Sequence, residues 1–337
     1  MGRASVTAGA YTVPPRRGLR SVPAADSPWA ASAVPGRRRM TAVPAQPVTL
    51  TLPAPLDFAA TLAPLRSHGD DGLDRWADGR LLRAATVAAG GVAYCARPRP
   101  EERRPVVEVH AQGPGAAAAP ELVARAFAPT PGGWSELLAR DPLLARLAGE
   151  FPGWRPLRQP DLFAALVRAI SAQQVNLRWA ATTRRRLAEA FGEPWVIGGE
   201  TVYRLDPTTF AALDPARIRA LQFTTRKAEY IVGVAAEIAR GRLSLPALEV
   251  LDDTAVIERL AALRGIGRWT AEWILVRTLG RPRVVAGDLG VRKAVGLAYG
   301  SGDPPAEAEV RRLTAHWGPC AELAQGLLLQ GLASDLL

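Results

Sequence analysis

Hydrophobic and polar positions change their period twice along this chain. Up to about residue 45 they show no period at all. From residue 47 VTLTLP alternates as a strand does, and LDFAATLAPLRS takes on a helical spacing. LLRAATVAAGGVAYCARPRP and RRPVVEVHAQG then read as two or three further strands broken at Gly and Pro, and PELVARAFA (residues 120–128) closes the stretch as a short helix. After PTPGGW the period becomes helical almost throughout. DLFAALVRAISAQQ, LRWAATTRRRLAEAFG, TRKAEYIVGVAAEIARG and WTAEWILVRTLG are four of some nine segments with apolar residues three and four apart. The pattern predicts three parts: a disordered tail over 1–45, a small α+β domain with an antiparallel sheet over 46–130, and an α-helical bundle over 131–337.

Composition adds size and charge. With 337 residues, 48% of them hydrophobic, the chain can bury a core in each of two domains. A net charge of +10 points to an acidic partner, nucleic acid first among them. The signal is blunted because Lys227 and Lys293 are the sole lysines, so that arginine usage alone raises the charge. Met40 is the one methionine besides Met1, which leaves two readings of the tail: a start-site artefact, or a basic arm on DNA. Cys95 and Cys320 lie far apart without a CxxC spacing, against a cysteine-held zinc or iron–sulfur site and in favour of a reducing cytoplasm, with one disulfide left open. No apolar run reaches the roughly 18 residues a membrane span needs, and no secretory leader is visible.

The motif that changes the picture is LRGIGRWTAEW, residues 263–273. Gly265 and Gly267 allow positive φ and close approach of a partner. Backbone N–H groups of such a turn, with the start of the next helix, suit a phosphate oxygen; the plainer reading is a glycine-capped helix connection. Beyond it lies AGDLGVRKA, with Asp288 placed 21 residues after Gly267.

GIGRWTAEW, AGDLGVRKA, RAISAQQVN, LQFTTRKAEYI and the Trp-Gly-Pro at 317–319 together resemble the helix–hairpin–helix DNA glycosylase superfamily, in its 3-methyladenine DNA glycosylase II branch. The preceding α+β unit is similar to that branch's N-terminal domain. The resemblance covers residues 47–333 and implies a mainly α fold: a helix–hairpin–helix glycosylase bundle behind a small α+β domain. It also implies a monomeric base-excision repair enzyme on duplex DNA that flips and removes alkylated purines, without a membrane and without a cofactor.

On that resemblance Asp288 is the catalytic carboxylate, able to support positive charge on the sugar and to orient water. Read alone, it is a good helix N-cap. Trp269 stands where lyase-type relatives carry a Schiff-base lysine, which implies water as nucleophile and a monofunctional enzyme. Trp269 and Trp273, four apart on one helix face, match positions that stack on a flipped, cationic base; without the resemblance they read as core. Leu329 matches a pocket position that is aromatic in some relatives, so an aliphatic wall there implies a roomier pocket. Gln174, beside Gln173 in the SAQQVN joint, matches the side chain that fills the gap left by the flipped base. Arg264, Gly265, Ile266, Gly267, Arg268 and Thr270 form the DNA-gripping hairpin, with Arg264 in place of the usual proline. Lys293 reads as a phosphate or structural contact. Carbonyls of Gly265 and Gly267 are implied ligands of a structural monovalent cation, while His68, His110 and His316 are too scattered for a side-chain metal site. Two alternatives stay open: a noncatalytic helix–hairpin–helix DNA binder, and a glycosylase for deaminated bases.

Overall fold

The computed structural model describes residues 46–99 and 104–337, which fall within one compact unit, Val34–Leu337; the tail read over 1–45 lies outside the described residues. The chain begins with β1 (Val48–Thr51), α1 (Phe58–Ser67), β2 (Asp74–Ala77), β3 (Arg80–Val87), β4 (Gly90–Pro98) and β5 (Val106–Gln112). These strands form one antiparallel sheet in the order β1-β5-β4-β3-β2. One face carries Leu81, Val92, Tyr94, Val107 and Val109 against α1 and α2 (Ala119–Ala126), as the alternation predicts. The short β2, DRWA, was not among the expected strands, since four residues with two charges show no alternating apolar pattern.

The helical region holds α3 (Trp134–Arg140), α4 (Pro142–Glu150), α5 (Leu162–Ala172), α6 (Leu177–Phe191), α7 (Pro207–Ala211), α8 (Pro215–Arg219), α9 (Thr225–Ala239), α10 (Leu245–Glu249), α11 (Asp253–Ala261), α12 (Arg268–Arg277), α13 (Leu289–Tyr299), α14 (Glu307–Leu313) and α15 (Ala321–Ala333). The expectation of nine helices is corrected upward among the described residues. The four additions, α3, α4, α7 and α10, have 5–9 residues each, too few for a period to emerge. Three of them nonetheless begin with a capping Asp141, Asp206 or Ser244 and a proline in the first turn.

A second correction is a strand pair inside this region, β6 (Glu193–Ile197) and β7 (Glu200–Arg204), turning at Gly198–Gly199. Both glycines have positive φ, as a two-residue hairpin requires. Trp195, Ile197 and Val202 pack on Leu82, Ala93 and Cys95, the sheet face opposite α1 and α2. The α+β and helical regions therefore share a core along this seam.

A buried ion cluster joins them as well. Asp71 and Asp74 face Arg83 from β3, Arg168 from α5 and Arg184 from α6: Arg184 Nε lies 2.8 Å from Asp71 Oδ2, Arg168 Nη2 lies 2.9 Å from Asp71 and 2.8 Å from Asp74, and Arg83 Nε lies 2.6 Å from Asp74 Oδ1. Burial pushes the Asp71 carboxyl up, but the Arg168 and Arg184 guanidiniums outweigh it and hold the group well below the usual carboxylate range. Arg184 Nη1 also donates to Ser171 Oγ at 2.9 Å, so the cluster reaches the C-terminal end of α5.

The helices enclose two apolar clusters. One is built from α5–α9, α11 and α12, with Leu166, Ile170, Phe210, Ile231, Ile274 and Leu275 among its members. The other comes from α3, α4 and α13–α15, around Leu144, Val291, Val295, Trp317 and Leu328. Thus α12 belongs to one cluster and α13 to the other. The loop between them brings two helix N-termini together where the clusters meet. Cys95 and Cys320 are buried free thiols. No helix of the described residues is long and apolar enough to cross a membrane.

Candidate active site

The site is assembled around the first turn of α12. Asp252 caps α11 through Ala255 N, and that helix runs into the turn Leu263–Gly267, where Ile266 N donates to Leu263 O at 3.0 Å. Gly265 has φ +86°, and a Cβ there would collide with the Tyr230 ring of α9. Its identity is therefore dictated from inside the protein. Gly267 differs: its backbone is extended, and a Cβ would meet nothing within 4 Å. Packing does not require this glycine, whereas a partner lying against the turn would. Gly267 gives α12 no side-chain cap, so the first amides of that helix face outward without one.

Three consecutive residues of α12 reach three different parts of the molecule. Arg268 Nε donates to Glu272 Oε1 at 3.0 Å, and Arg311 Nη2 from α14 donates to the same oxygen at 2.8 Å. Glu272 is 1% exposed, so the two arginines neutralise a buried carboxylate within the helix that forms the hairpin. Trp269 Nε1 donates to Asp288 Oδ2 at 3.0 Å. Thr270, buried, shares Gln173 with the turn: Gln173 Nε2 donates to Gly265 O at 3.1 Å and to Thr270 Oγ1 at 3.3 Å.

Asp288 caps α13, with Oδ1 accepting from Val291 N at 3.0 Å. Its two oxygens are thus held by one backbone amide and one indole, and the group is half-buried. Its loop is anchored from α15, where Gln325 Oε1 accepts from Val285 N at 2.7 Å. Gly290 explains how Leu329 joins the site. A Cβ at Gly290 would lie 3.1 Å from Asp288 Oδ1 and 3.2 Å from Leu329 Cδ2, tighter than side chains normally pack. At Gly287 a Cβ would lie 3.1 Å from Glu307 Oε1, so a second carboxylate flanks the backbone leading into Asp288.

The joint between α5 and α6 completes the surface. Asn176 caps α6 by accepting from Trp179 N at 2.8 Å, and Lys227 Nζ donates to Ser171 O at 2.9 Å. Burial holds the Lys227 amine below its ordinary value. Gln174, exposed at the tip, has φ +55°, a left-handed conformation that costs a non-glycine residue about 1–2 kcal/mol.

Six of the residues singled out in the sequence therefore come together: Gln173, Gly265, Thr270, Trp269, Asp288 and Leu329 form one connected set. The tryptophan pair divides. Trp269 turns to the carboxylate, while Trp273 packs against the helical cluster. Arg264 pairs with Glu229 at 2.8 Å and lies over the Tyr230 ring. Lys293 is exposed on α13. Gly265 O accepts from Gln173, and Gly267 O from Ala271 N at 3.0 Å, so each of the two carbonyls named for a cation already serves a protein donor. Among the described residues no three His, Cys, Asp or Glu side chains gather as a metal site. Tyr230, Glu272, Gly290, Arg311 and Glu307 were not anticipated. A glycine two residues into an otherwise helical run was the one signal available, and it marked Gly290.

The chain matches the model of the HhH-GPD superfamily base excision DNA repair protein over residues 167–320, the span from α5 to the end of the Trp-Gly-Pro segment. It is 32% identical over 184 residues to a DNA-3-methyladenine glycosylase of Bacillus subtilis, covering 54% of this chain and 61% of that protein. The chain spans less than two thirds of the length of the curated relatives it matches. Its fold is that of a 3-methyladenine DNA-glycosylase from Archaeoglobus fulgidus, with a TM-score of 0.73 at 23% identity, over 86% of this chain and 99% of that one. A Schizosaccharomyces pombe 3-methyladenine DNA glycosylase, solved in complex with abasic DNA, aligns at a TM-score of 0.50 and 25% identity, over 59% and 88% of the two chains.

Proposed function

We propose that this chain is a monomeric, monofunctional DNA glycosylase that flips alkylated purines of the 3-methyladenine type out of duplex DNA and hydrolyses their N-glycosidic bond. The observation that carries the reading is the Trp269–Asp288 hydrogen bond beside an open glycine turn. It sets a carboxylate and an aromatic ring together next to a surface suited to phosphate.

The chemistry follows from that geometry. As the bond from sugar C1′ to the purine nitrogen breaks, its electron pair leaves with the base and positive charge grows on the sugar. Asp288 stabilises that charge and orients a water, whose oxygen bonds to C1′ as its proton passes to the carboxylate. An alkylated purine already carries positive charge, so it leaves as a neutral base and needs little acid assistance. The Trp269 ring suits such a cation, with its own N–H spent on the carboxylate. Lys227 is tied to Ser171 O and Lys293 lies out on α13, which leaves the hairpin without an amine nucleophile. The bare N-terminus of α12 and Gly267 receive a phosphate flanking the lesion, and Gln174 enters the gap in the stack.

The names of relatives support the substrate class, and Leu329 supports a roomy pocket. The test incubates the purified chain with methylated duplex DNA and measures released bases by chromatography. Free 3-methyladenine, with strands intact until alkali is added, is the expected result. Strand cleavage without alkali would overturn the hydrolytic reading, release from hypoxanthine or uracil duplexes alone would reassign the substrate to deaminated bases, and tight binding without release would leave a noncatalytic DNA binder.

A further inference from the structure

The joint that carries Gln174 opens onto an apolar surface that no described residue covers. Val175 is 37% exposed, Leu177 50% and Trp179 39%, three of the large hydrophobic side chains left in solvent. The buried face of α6 is made by Ala180, Ala181, Thr183, Arg184, Leu187 and Ala188, which leaves Trp179, Thr182 and Arg186 on an outward stripe. Trp179, at the first turn of the helix and away from its core face, leaves 39% of its surface in solvent.

Its surroundings are basic. The Arg186 guanidinium sits 5.4 Å from the Trp179 ring centroid and is itself tied to Gln222 Oε1 across the groove toward α9. Gln222 is a second non-glycine residue with positive φ, +73°, in an exposed loop. Arg178 and Arg226 are exposed, and among the described residues neither pairs with a carboxylate. An aromatic ring interleaved with arginines is the composition of a surface on which bases and sugars stack while phosphates are neutralised.

Resting on the proposed function, we infer that Trp179 is a second DNA contact, against the strand opposite the flipped base. Gln173 is bonded to the hairpin turn that holds the damaged strand, and Gln174 fills the stack. Along the chain the next exposed groups are Val175, Leu177 and Trp179, rigidly placed because Asn176 accepts from Trp179 N. A duplex opened at Gln174 has an unpaired base on its other strand. The Trp179 indole, braced by Arg186, supplies a stacking partner for that base or its sugar, with Arg178 and Arg226 beside the backbone. This makes the enzyme dependent on a duplex rather than a single strand, and the opposite base part of what it reads.

The experiment uses the full chain and a duplex with a tetrahydrofuran abasic site opposite 2-aminopurine, beside the single strand bearing the same abasic site. Anisotropy gives affinity and 2-aminopurine emission reports stacking. Trp179→Ala is expected to weaken duplex binding about tenfold, to brighten the 2-aminopurine, and to leave single-strand affinity unchanged, while Trp179→Phe restores both readouts. Tight wild-type binding that Trp179→Ala leaves unaltered in affinity and emission would overturn the inference and spare the glycosylase reading. So would a change confined to the association state in sedimentation, which would assign the patch to a second copy of the chain. Failure of the wild type to bind the abasic duplex would overturn both.

Discussion

Asp71 and Asp288 are carboxylates placed at junctions of the same molecule, and they are treated in opposite ways. Asp71 is 2% exposed and takes ion pairs from Arg168 and Arg184 at the seam between sheet and helices. Asp288 is half-buried, and its bonded partners are neutral, an indole and a backbone amide. A carboxylate that two guanidiniums neutralise is spent on the fold. Among the described residues no guanidinium offsets the charge of Asp288, and the proposed function assigns that charge to the sugar.

The comparison breaks first at Asp71. Asp71→Asn strands Arg184 in the interior, and loss of one partner of a buried pair costs about 3–5 kcal/mol, to be measured by denaturant unfolding. The same group sets an acid limit. Its folded value is depressed, so its contribution is complete above the unfolded value and is lost as pH falls through the folded one. The wild type therefore loses stability as pH drops below about 4, and this part of the slope disappears in Asp71→Asn.

Trp269→Phe sharpens the other half. It keeps a ring for the base but removes the donor that fixes Asp288 Oδ2, so the carboxylate loses its orientation toward the sugar while its cap on α13 remains. Base release is expected to slow at least tenfold with little change in the unfolding midpoint. Equal loss of stability and activity would make the indole a structural prop instead.

The smallest effects separate the two hairpin glycines. Gly265→Ala is expected to destabilise the fold by about 1–3 kcal/mol, since it meets the Tyr230 ring at a left-handed φ. Gly267→Ala, with open space around it, should change stability by less than about 0.5 kcal/mol. Its cost should appear as weaker binding to an abasic duplex, read in the same anisotropy assay.

Much of this was legible in the chain, but unevenly. The alternation over 48–112 and the helical period after 160 gave both regions, because each depends on local spacing. Asp288 and the glycine turn stood out through their mutual distance in sequence. The Gly198–Gly199 turn between alternating runs also announced a hairpin, yet a long helical stretch on either side masked it. What the chain could not show were pairings made only in three dimensions. Trp269 and Asp288 are 19 residues apart, Gln173 and Gly265 are 92 apart, and Glu272 and Arg311 are 39 apart. Nor does periodicity distinguish Trp269 from Trp273, since both fall on one helix face until a partner outside that helix separates them.

The most direct test is single-turnover base release by Asp288→Asn, measured with its unfolding midpoint and its affinity for an abasic duplex. Asparagine caps a helix as well as aspartate does, so the fold and α13 should be unchanged. The account predicts a loss of about 10²–10⁴-fold in base release, with stability and DNA binding retained. Release within a few-fold of the wild type would contradict it and move the catalytic charge to another group.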